Sequence, residues 1–194
     1  VIRAIVFDCF GVLASDGWLP FKRKYFGHDP ALFREAGDLN KSVDSGLTTY
    51  DDFVPAVAKL AGIPVESAYE QIERNPANDE LFAYIRRELK PRYQLGILSN
   101  AGENWLPEMF TAEDIALFDE IVLSYQIGIT KPDAAAYQAI LDKLAVEPGD
   151  CVFIDDQERY CTAATEVGMH AMLYTSVEQL KADIEKILTD SLSS

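Results

Sequence analysis

The sequence predicts an α/β fold: a doubly wound, Rossmann-like parallel-sheet core carrying a small all-helical unit. Three observations predict it. Short apolar runs recur along the chain and stop at polar residues, as in AIVFD, LGILSN and CVFIDD. Segments of helical period lie between the later runs, the pattern of parallel strands covered on both faces. A long stretch after the first run, from about Trp18 to Asn75, has helical spacing throughout and no convincing strand.

The first strand is the greasy run Ile2–Phe7, halted by Asp8. In the helical stretch, Phe53, Val57 and Leu60 fall at three- and four-residue steps and predict one buried stripe. Asp51 and Asp52 are helix-start acids, and Gly62 with Pro64 ends the segment. Leu81, Ile85 and Leu89 mark a helix closed by Pro91. Tyr93–Leu98 reads as a buried strand, and Glu120–Ser124 as a second. A helix follows over Ala134–Leu144, then a third strand over Cys151–Ile154. The next helix ends near Gly168, HAMLY is a fourth strand, and Val177–Leu188 is a closing helix. Residues Ser191–Ser194 are expected to fray. The organisation expected is a core of residues 1–14 and 78–194 interrupted by a helical insert of residues 15–77.

At 194 residues and 48% hydrophobic content, the chain can build one real core and a small second module. Its net charge of −15 repels phosphate backbones and argues against nucleic acid as a partner. An anionic ligand must be drawn in by a local positive site. No apolar run is long enough to span a bilayer, and no signal-peptide pattern precedes the first strand, so no membrane partner is expected. Cys9, Cys151 and Cys161 form no CxxC pair, as expected of reduced core residues in a cytoplasmic protein. The triplet Asn40-Lys41-Ser42 is then a chance match to a glycosylation site. His28 and His170 are too few for a histidine-based site and read as structural. No Walker loop, G-x-S-x-G elbow or dinucleotide fingerprint is present.

In doubly wound sheets, ligands bind beyond the carboxyl ends of the strands. Asp8 stands at the end of the first strand, Ser99-Asn100 at the next, and Asp155-Asp156 after Cys151–Ile154. Lys131-Pro132-Asp133 follows the strand at Glu120–Ser124, just ahead of a helix. Each has an ordinary reading. Strand-end acids are commonly caps or turn residues. Ser99-Asn100 could start a helix, Pro132 suits a first helical turn and leaves Lys131 incidental, and Asp155-Asp156 could complement a helix dipole. Together they predict one edge with three carboxylates, a hydroxyl and an ammonium.

That set suits attack of a carboxylate on a phosphate ester. Bringing two anions together costs several kcal/mol outside bulk water, and Mg²⁺ held by oxygen ligands relieves the repulsion. Asp8 is the candidate nucleophile, forming an aspartyl-phosphate that water opens. Asp155 and Asp156 would anchor the metal, and Lys131 would neutralise charge. Ser99 and the Asn100 backbone would donate to phosphoryl oxygens.

VFDCFGVL, LGILSNAG, GITKPD and FIDDQERYCTAA resemble, in order, the four motifs of the haloacid dehalogenase-like hydrolase superfamily. The resemblance implies Asp8 as nucleophile and Mg²⁺ bound by Asp8, the Phe10 carbonyl and Asp156. Asp155 would hold Lys131 or touch the metal through water. The helical insert is similar to that family's cap. Residue Phe10 departs from the pattern, since the family's phosphatases usually carry a second aspartate there. That aspartate protonates the leaving group and then activates water. A general acid–base is worth about 10²–10⁴ in rate, or about 3–5 kcal/mol of barrier.

Three functions follow, in this order of preference. The first is a phosphatase of small phosphorylated metabolites whose leaving groups need little protonation, such as an anomeric sugar phosphate or an acyl phosphate. The second is a non-catalytic phosphate- or metabolite-binding protein of the same fold. The third is a 2-haloacid dehalogenase, which the aromatic Phe10 echoes but the paired acids oppose. Lys22-Arg23-Lys24, the one dense basic run, is either a greeting for an anionic substrate or a solvated helix face. Trp18 and Tyr25 are expected in the core, and Trp105 at the pocket. The sequence predicts neither a particular metabolite nor an oligomeric state.

Overall fold

Five parallel strands pair in the order β3-β2-β1-β4-β5. They are β1 (Ala4–Phe7), β2 (Gln94–Ser99), β3 (Glu120–Leu123), β4 (Cys151–Asp155) and β5 (His170–Leu173). The computed structural model describes residues 1–191, and residues 192–194 of the end expected to fray lie outside them. The first strand is central because the chain winds outward from it twice, first through β2 to β3 and then through β4 to β5. Phe7 pairs with both Ile97 and Ile154, so Asp8 enters the gap where the winding reverses. Its amide donates to the Ile154 carbonyl at 2.8 Å.

The strands depart from the sequence reading at their ends. β1 starts at Ala4, two residues late. β2 runs through Ser99 and β4 through Asp155, because ladder pairing with their neighbours continues past the apolar run. Ser124 belongs not to β3 but to a single helical turn, Ser124–Ile127.

Alternate residues of each strand supply two apolar layers. Ile5 and Phe7 pack with Leu95, Ile97 and Ile154 under α5 (Asp79–Tyr84) and α11 (Val177–Ser191). The helix expected over Leu81–Leu89 widens after Tyr84 into a π-helical segment, Ile85–Leu89, before Pro91. Ala4, Val6, Leu98 and Phe153 face α9 (Ala134–Leu144) and α10 (Glu158–Val167). Asp133 starts α9 by accepting from the Ala135 amide at 2.9 Å. Pro132 therefore precedes the helix rather than opening it. Gly96 lets α9 approach, since a Cβ there would lie 3.1 Å from Leu144.

Between β1 and α5 the chain forms α1 (Trp18–Phe26), α2 (Pro30–Asp44), α3 (Tyr50–Ala61) and α4 (Val65–Ile72). These helices share an apolar cluster of their own, including Phe21, Phe26, Phe53, Val57 and Ile72, with Leu60 partly buried against it. The chain leaves and returns side by side: Ala14 bridges Ala77, and the Asn78 amide donates to the Leu13 carbonyl at 2.8 Å. Short turns α6 (Leu106–Met109), α7 (Ala112–Ile115) and α8 (Ser124–Ile127) complete the fold. No helix among the described residues is long and apolar enough to cross a membrane.

Candidate active site

The loop after β1 holds Asp8 by its own geometry. Asp8 Oδ1 accepts from the Cys9 amide at 2.7 Å. Lys131 Nζ lies 2.9 Å from the same oxygen and donates to Asp155 Oδ2 at 2.6 Å. Asp8, Lys131 and Asp155 are 5%, 2% and 0% exposed, so this is a buried ion cluster and not a surface lysine near two caps. Asp155 Oδ1 is occupied by the Gln157 amide at 2.9 Å.

The neighbouring acid is treated differently. Asp156 is half-buried, and its buried Oδ1 has no hydrogen-bond partner. Gly11, at φ +89°, leaves the space beside it: a Cβ there would sit 2.5 Å from the Asp156 carboxylate. One ligand oxygen from each of Asp8, Asp155 and Asp156 falls within 4.8 Å of the others. The Phe10 carbonyl accepts no hydrogen bond among the described residues.

Three carboxylates against one ammonium leave the cluster net negative when all are ionised. Burial pushes the Asp8 carboxyl up; Lys131 pulls it down, and Asp155 and Asp156 push it further up. Asp156 is raised to about 6 by burial and by the charges of Asp155 and Asp16. Burial alone would lower Lys131, but Asp155 and Asp8 hold it well above the ordinary lysine range. Oxygen donors, surplus negative charge and an orphaned carboxylate oxygen fit a hard divalent cation such as Mg²⁺.

Ser99 lies at the end of β2, 1% exposed, with its Oγ unpartnered. It is not part of the wall of the adjoining cavity, and neither are Asp155 and Asp156. Asn100 does more than the backbone donation expected of it. Its Oδ1 accepts from the Lys131 amide at 2.8 Å, and its Nδ2 donates to the Lys131 carbonyl at 3.0 Å. This clamp fixes the backbone that carries the buried ammonium. A strand-end asparagine is so common in turns that the sequence held no signal for it.

The cavity, about 1010 Å³, lies between the strand ends and the helices inserted after β1. Asp8, Phe10, Asn100 and Lys131 form its core side, and Trp105 also lines it. Trp105 also meets Tyr50 edge-on at 4.5 Å. Trp18 both packs on Phe53 and lines the cavity, whereas Tyr25 packs on Phe21 away from it. Of the basic run, only Lys22 reaches the wall; Lys24 donates to Gln71. Asp16, Asp44 and Arg159 also line it and were not picked out by sequence reasoning.

The signature of the haloacid dehalogenase-like hydrolases matches residues 56–174. The chain belongs to that family. Asp8 and the loop around it lie outside the matched span. Mouse acyl-CoA dehydrogenase family member 10 is 26% identical over 96% of this chain, and pig bifunctional epoxide hydrolase 2 is 25% identical over 96%. The chain spans only 19% and 39% of those two relatives. A phosphatase of Mycobacterium tuberculosis is 29% identical over 97% of this chain and 94% of its own length. Among solved structures, a predicted HAD-like family hydrolase from Porphyromonas gingivalis superposes with a TM-score of 0.72 at 25% identity, covering 96% of this chain and 98% of that one. A HAD family enzyme of Bacteroides thetaiotaomicron, in complex with magnesium and inorganic phosphate, has a TM-score of 0.69 at 22% identity over 91% and 96%. The strand order and the cluster of acids around Asp8 are thus set in a haloacid dehalogenase-like hydrolase frame.

Proposed function

We propose that this hydrolase is a Mg²⁺-dependent phosphoric monoester hydrolase acting on small phosphorylated metabolites through Asp8. The observation that carries the reading is Lys131 buried between Asp8 and Asp155, with Asp156 close by and one oxygen unsatisfied. The relative named a phosphatase and the solved structure holding magnesium and phosphate support it.

Asp8, Asp156 and the Phe10 carbonyl would hold Mg²⁺, with Asp155 committed to Lys131. Bound there, the ion supplies positive charge that keeps Asp8 ionised and offsets the charge of the phosphoryl group. With Oδ1 held by Cys9 and Lys131, Asp8 Oδ2 is left to attack phosphorus and form an aspartyl-phosphate. Lys131 stays protonated throughout and stabilises charge on the oxygens in transfer. A buried, unpaired hydroxyl costs about 1–3 kcal/mol, which a phosphoryl oxygen accepting from Ser99 would recover. The Asn100 amide is a second donor on the same loop.

Lys22 and Arg159 bring positive charge to the cavity wall of an acidic chain, which supports an anionic substrate. The helices above the strand ends act as the cap, excluding water from the reaction. Three free cysteines support a reducing, cytoplasmic setting. In the presence of Mg²⁺, Asp8→Asn should abolish turnover of an activated aryl phosphate; retained turnover removes Asp8 as nucleophile. Phe10 on the cavity wall favours one second reading, a binder without turnover. A panel of phosphorylated metabolites and 2-chloroacids, with and without Mg²⁺, separates the two and tests dehalogenation as well.

A further inference from the structure

One carboxylate in the cavity sits where helix physics disfavours it. Asp44 is the last residue of α2, a 15-residue helix whose C-terminal end carries partial negative charge. Ordinary surface acids avoid that place. Asp44 is half-buried, lines the cavity, and is held from two sides. Asn40, one turn earlier, donates from Nδ2 to Asp44 Oδ2 at 2.7 Å. The Asp44 carbonyl accepts from Ser124 Oγ, which in turn accepts from the Ala101 amide at 3.0 Å. The end of α2 is thereby tied to the loop that carries Ser99 and Asn100. Ser124 spans insert and core with one buried hydroxyl.

The other cavity acids are committed or exposed. Asp8 is the nucleophile of the reading above. Asp16 Oδ1 caps the start of α1, accepting from Trp18 and Leu19 amides at 2.9 and 3.2 Å. Asp38, Glu73 and Glu108 are exposed. Asp44 is half-buried, as Asp16 is, but where Asp16 caps a helix through two backbone amides, Asp44 is bonded at one oxygen by a single side-chain amide and has no ion-pair partner among the described residues. Burial raises its carboxyl to about 7, with Asp16 pushing it up and Asn40 and Lys131 pulling it down. A group poised near neutrality can both give and take a proton.

We propose that Asp44 is the general acid and base missing from the loop after β1, acting from the helical insert where Phe10 cannot. The inference rests on the phosphatase reading. In the first step Asp8 Oδ2 bonds to phosphorus, the bond from phosphorus to the alcohol oxygen breaks, and the Asp44 proton passes to that oxygen. The products are a neutral alcohol, an aspartyl-phosphate and an Asp44 carboxylate. In the second step water attacks phosphorus, its proton passes to Asp44, and the Asp8–phosphorus bond breaks. Hydrogen phosphate leaves, Asp8 is again a carboxylate and Asp44 is again protonated.

The test is leaving-group dependence in Asp44→Asn, which preserves shape and the contact with Asn40. Read kcat/KM, which reports events up to loss of the alcohol, for 4-nitrophenyl phosphate and for an unactivated alkyl phosphate. The alkyl ester should lose about 10²–10⁴-fold, and the nitrophenyl ester only a few-fold, with a melting temperature no lower than that of the wild type. Equal losses for both esters, or no loss for either, overturn the role of Asp44. If Asp44→Asn fails to fold, a leaving-group series on the wild type decides: a shallow dependence supports a proton donor and a steep one overturns it. Failure of the phosphatase reading looks different, because the wild type then turns over neither ester, or Asp8→Asn still turns over the nitrophenyl ester; both results overturn the proposal along with that reading.

Discussion

The two walls of the cavity are built by opposite rules. On the core side, Asp8 and Asn100 stand at strand ends and Lys131 in the loop before α9, with Asp155 and Asp156 adjoining them at the end of β4, and the sheet brings them together. Their positions follow from register: once Phe7 pairs with Ile154, Asp8 and Asp155 are neighbours. On the insert side, Trp18, Lys22, Asp44 and Tyr50 come from three different helices, and their meeting depends on how those helices pack. Asp8 and Lys131 on the core wall, with Asp155 adjoining them, form a buried charge cluster. The insert wall mixes aromatic rings with charged side chains, several of them exposed. The difference teaches that the charged groups of the core are placed by strand pairing, whereas the groups facing them from the insert are placed by helix packing.

The comparison breaks most sharply at Asp8. Asp8→Asn should lower turnover by more than about 10³-fold, while the metal-free protein melts no lower, since one charge fewer is buried. Steady-state rates and a melt in EDTA check both halves. Lys131→Met should come next. It leaves Asp8 and Asp155 buried without a cation, a loss of about 3–5 kcal/mol, read by urea unfolding. No comparable loss is expected from Lys22→Met on the opposite wall.

Mg²⁺ should raise the stability of the wild type, by about 2.7 kcal/mol at a hundredfold excess over its Kd. Asp156→Asn should erase that gain. A thermal shift in Asp156→Asn equal to the wild type would show that the ion binds elsewhere. Asp44 predicts a pH effect on the insert side. Its folded carboxyl titrates near 7 instead of 3.8, so the folded state retains a proton that the unfolded chain has released. Stability should therefore fall as pH rises from about 4 to about 7, and the slope should flatten in Asp44→Asn. Denaturant midpoints across that range measure it. The smallest effect is expected at Trp105. Removing its edge contact with Tyr50 costs about 0.5–1.5 kcal/mol, and Trp105→Ala should raise KM more than it lowers kcat.

Strand ends were legible because buried parallel strands are apolar along their whole length, so an acid that stops one is conspicuous. Asp8 and the Asp155-Asp156 pair stood out in this way, and Lys131 stood out by its place ahead of a helix. The difference between Asp155 and Asp156 was not legible, as the two are identical and adjacent. Ladder pairing and the Gln157 amide bury one, while the space beside Gly11 leaves the other short of a partner. Asn100 was named for its backbone, yet its side chain clamps Lys131 across 31 residues of sequence. Within the helical insert, periodicity showed the buried stripe of Phe53 and Val57, but it carried no mark for Asp44. A carboxylate at a helix end looks the same whether it meets solvent or a cavity.

The sequence by itself determined the alternation of strands and helices, the acids that close the strands, and the helical segment after the first of them, because periodicity and punctuation are local. Tertiary structure alone decided that Lys131 is buried between two carboxylates, that Asp156 keeps an unsatisfied oxygen, and that Asp44 meets the cavity. Those properties are differences in solvation and proximity between residues far apart in the chain, and they exist only once the helices and the sheet have excluded water.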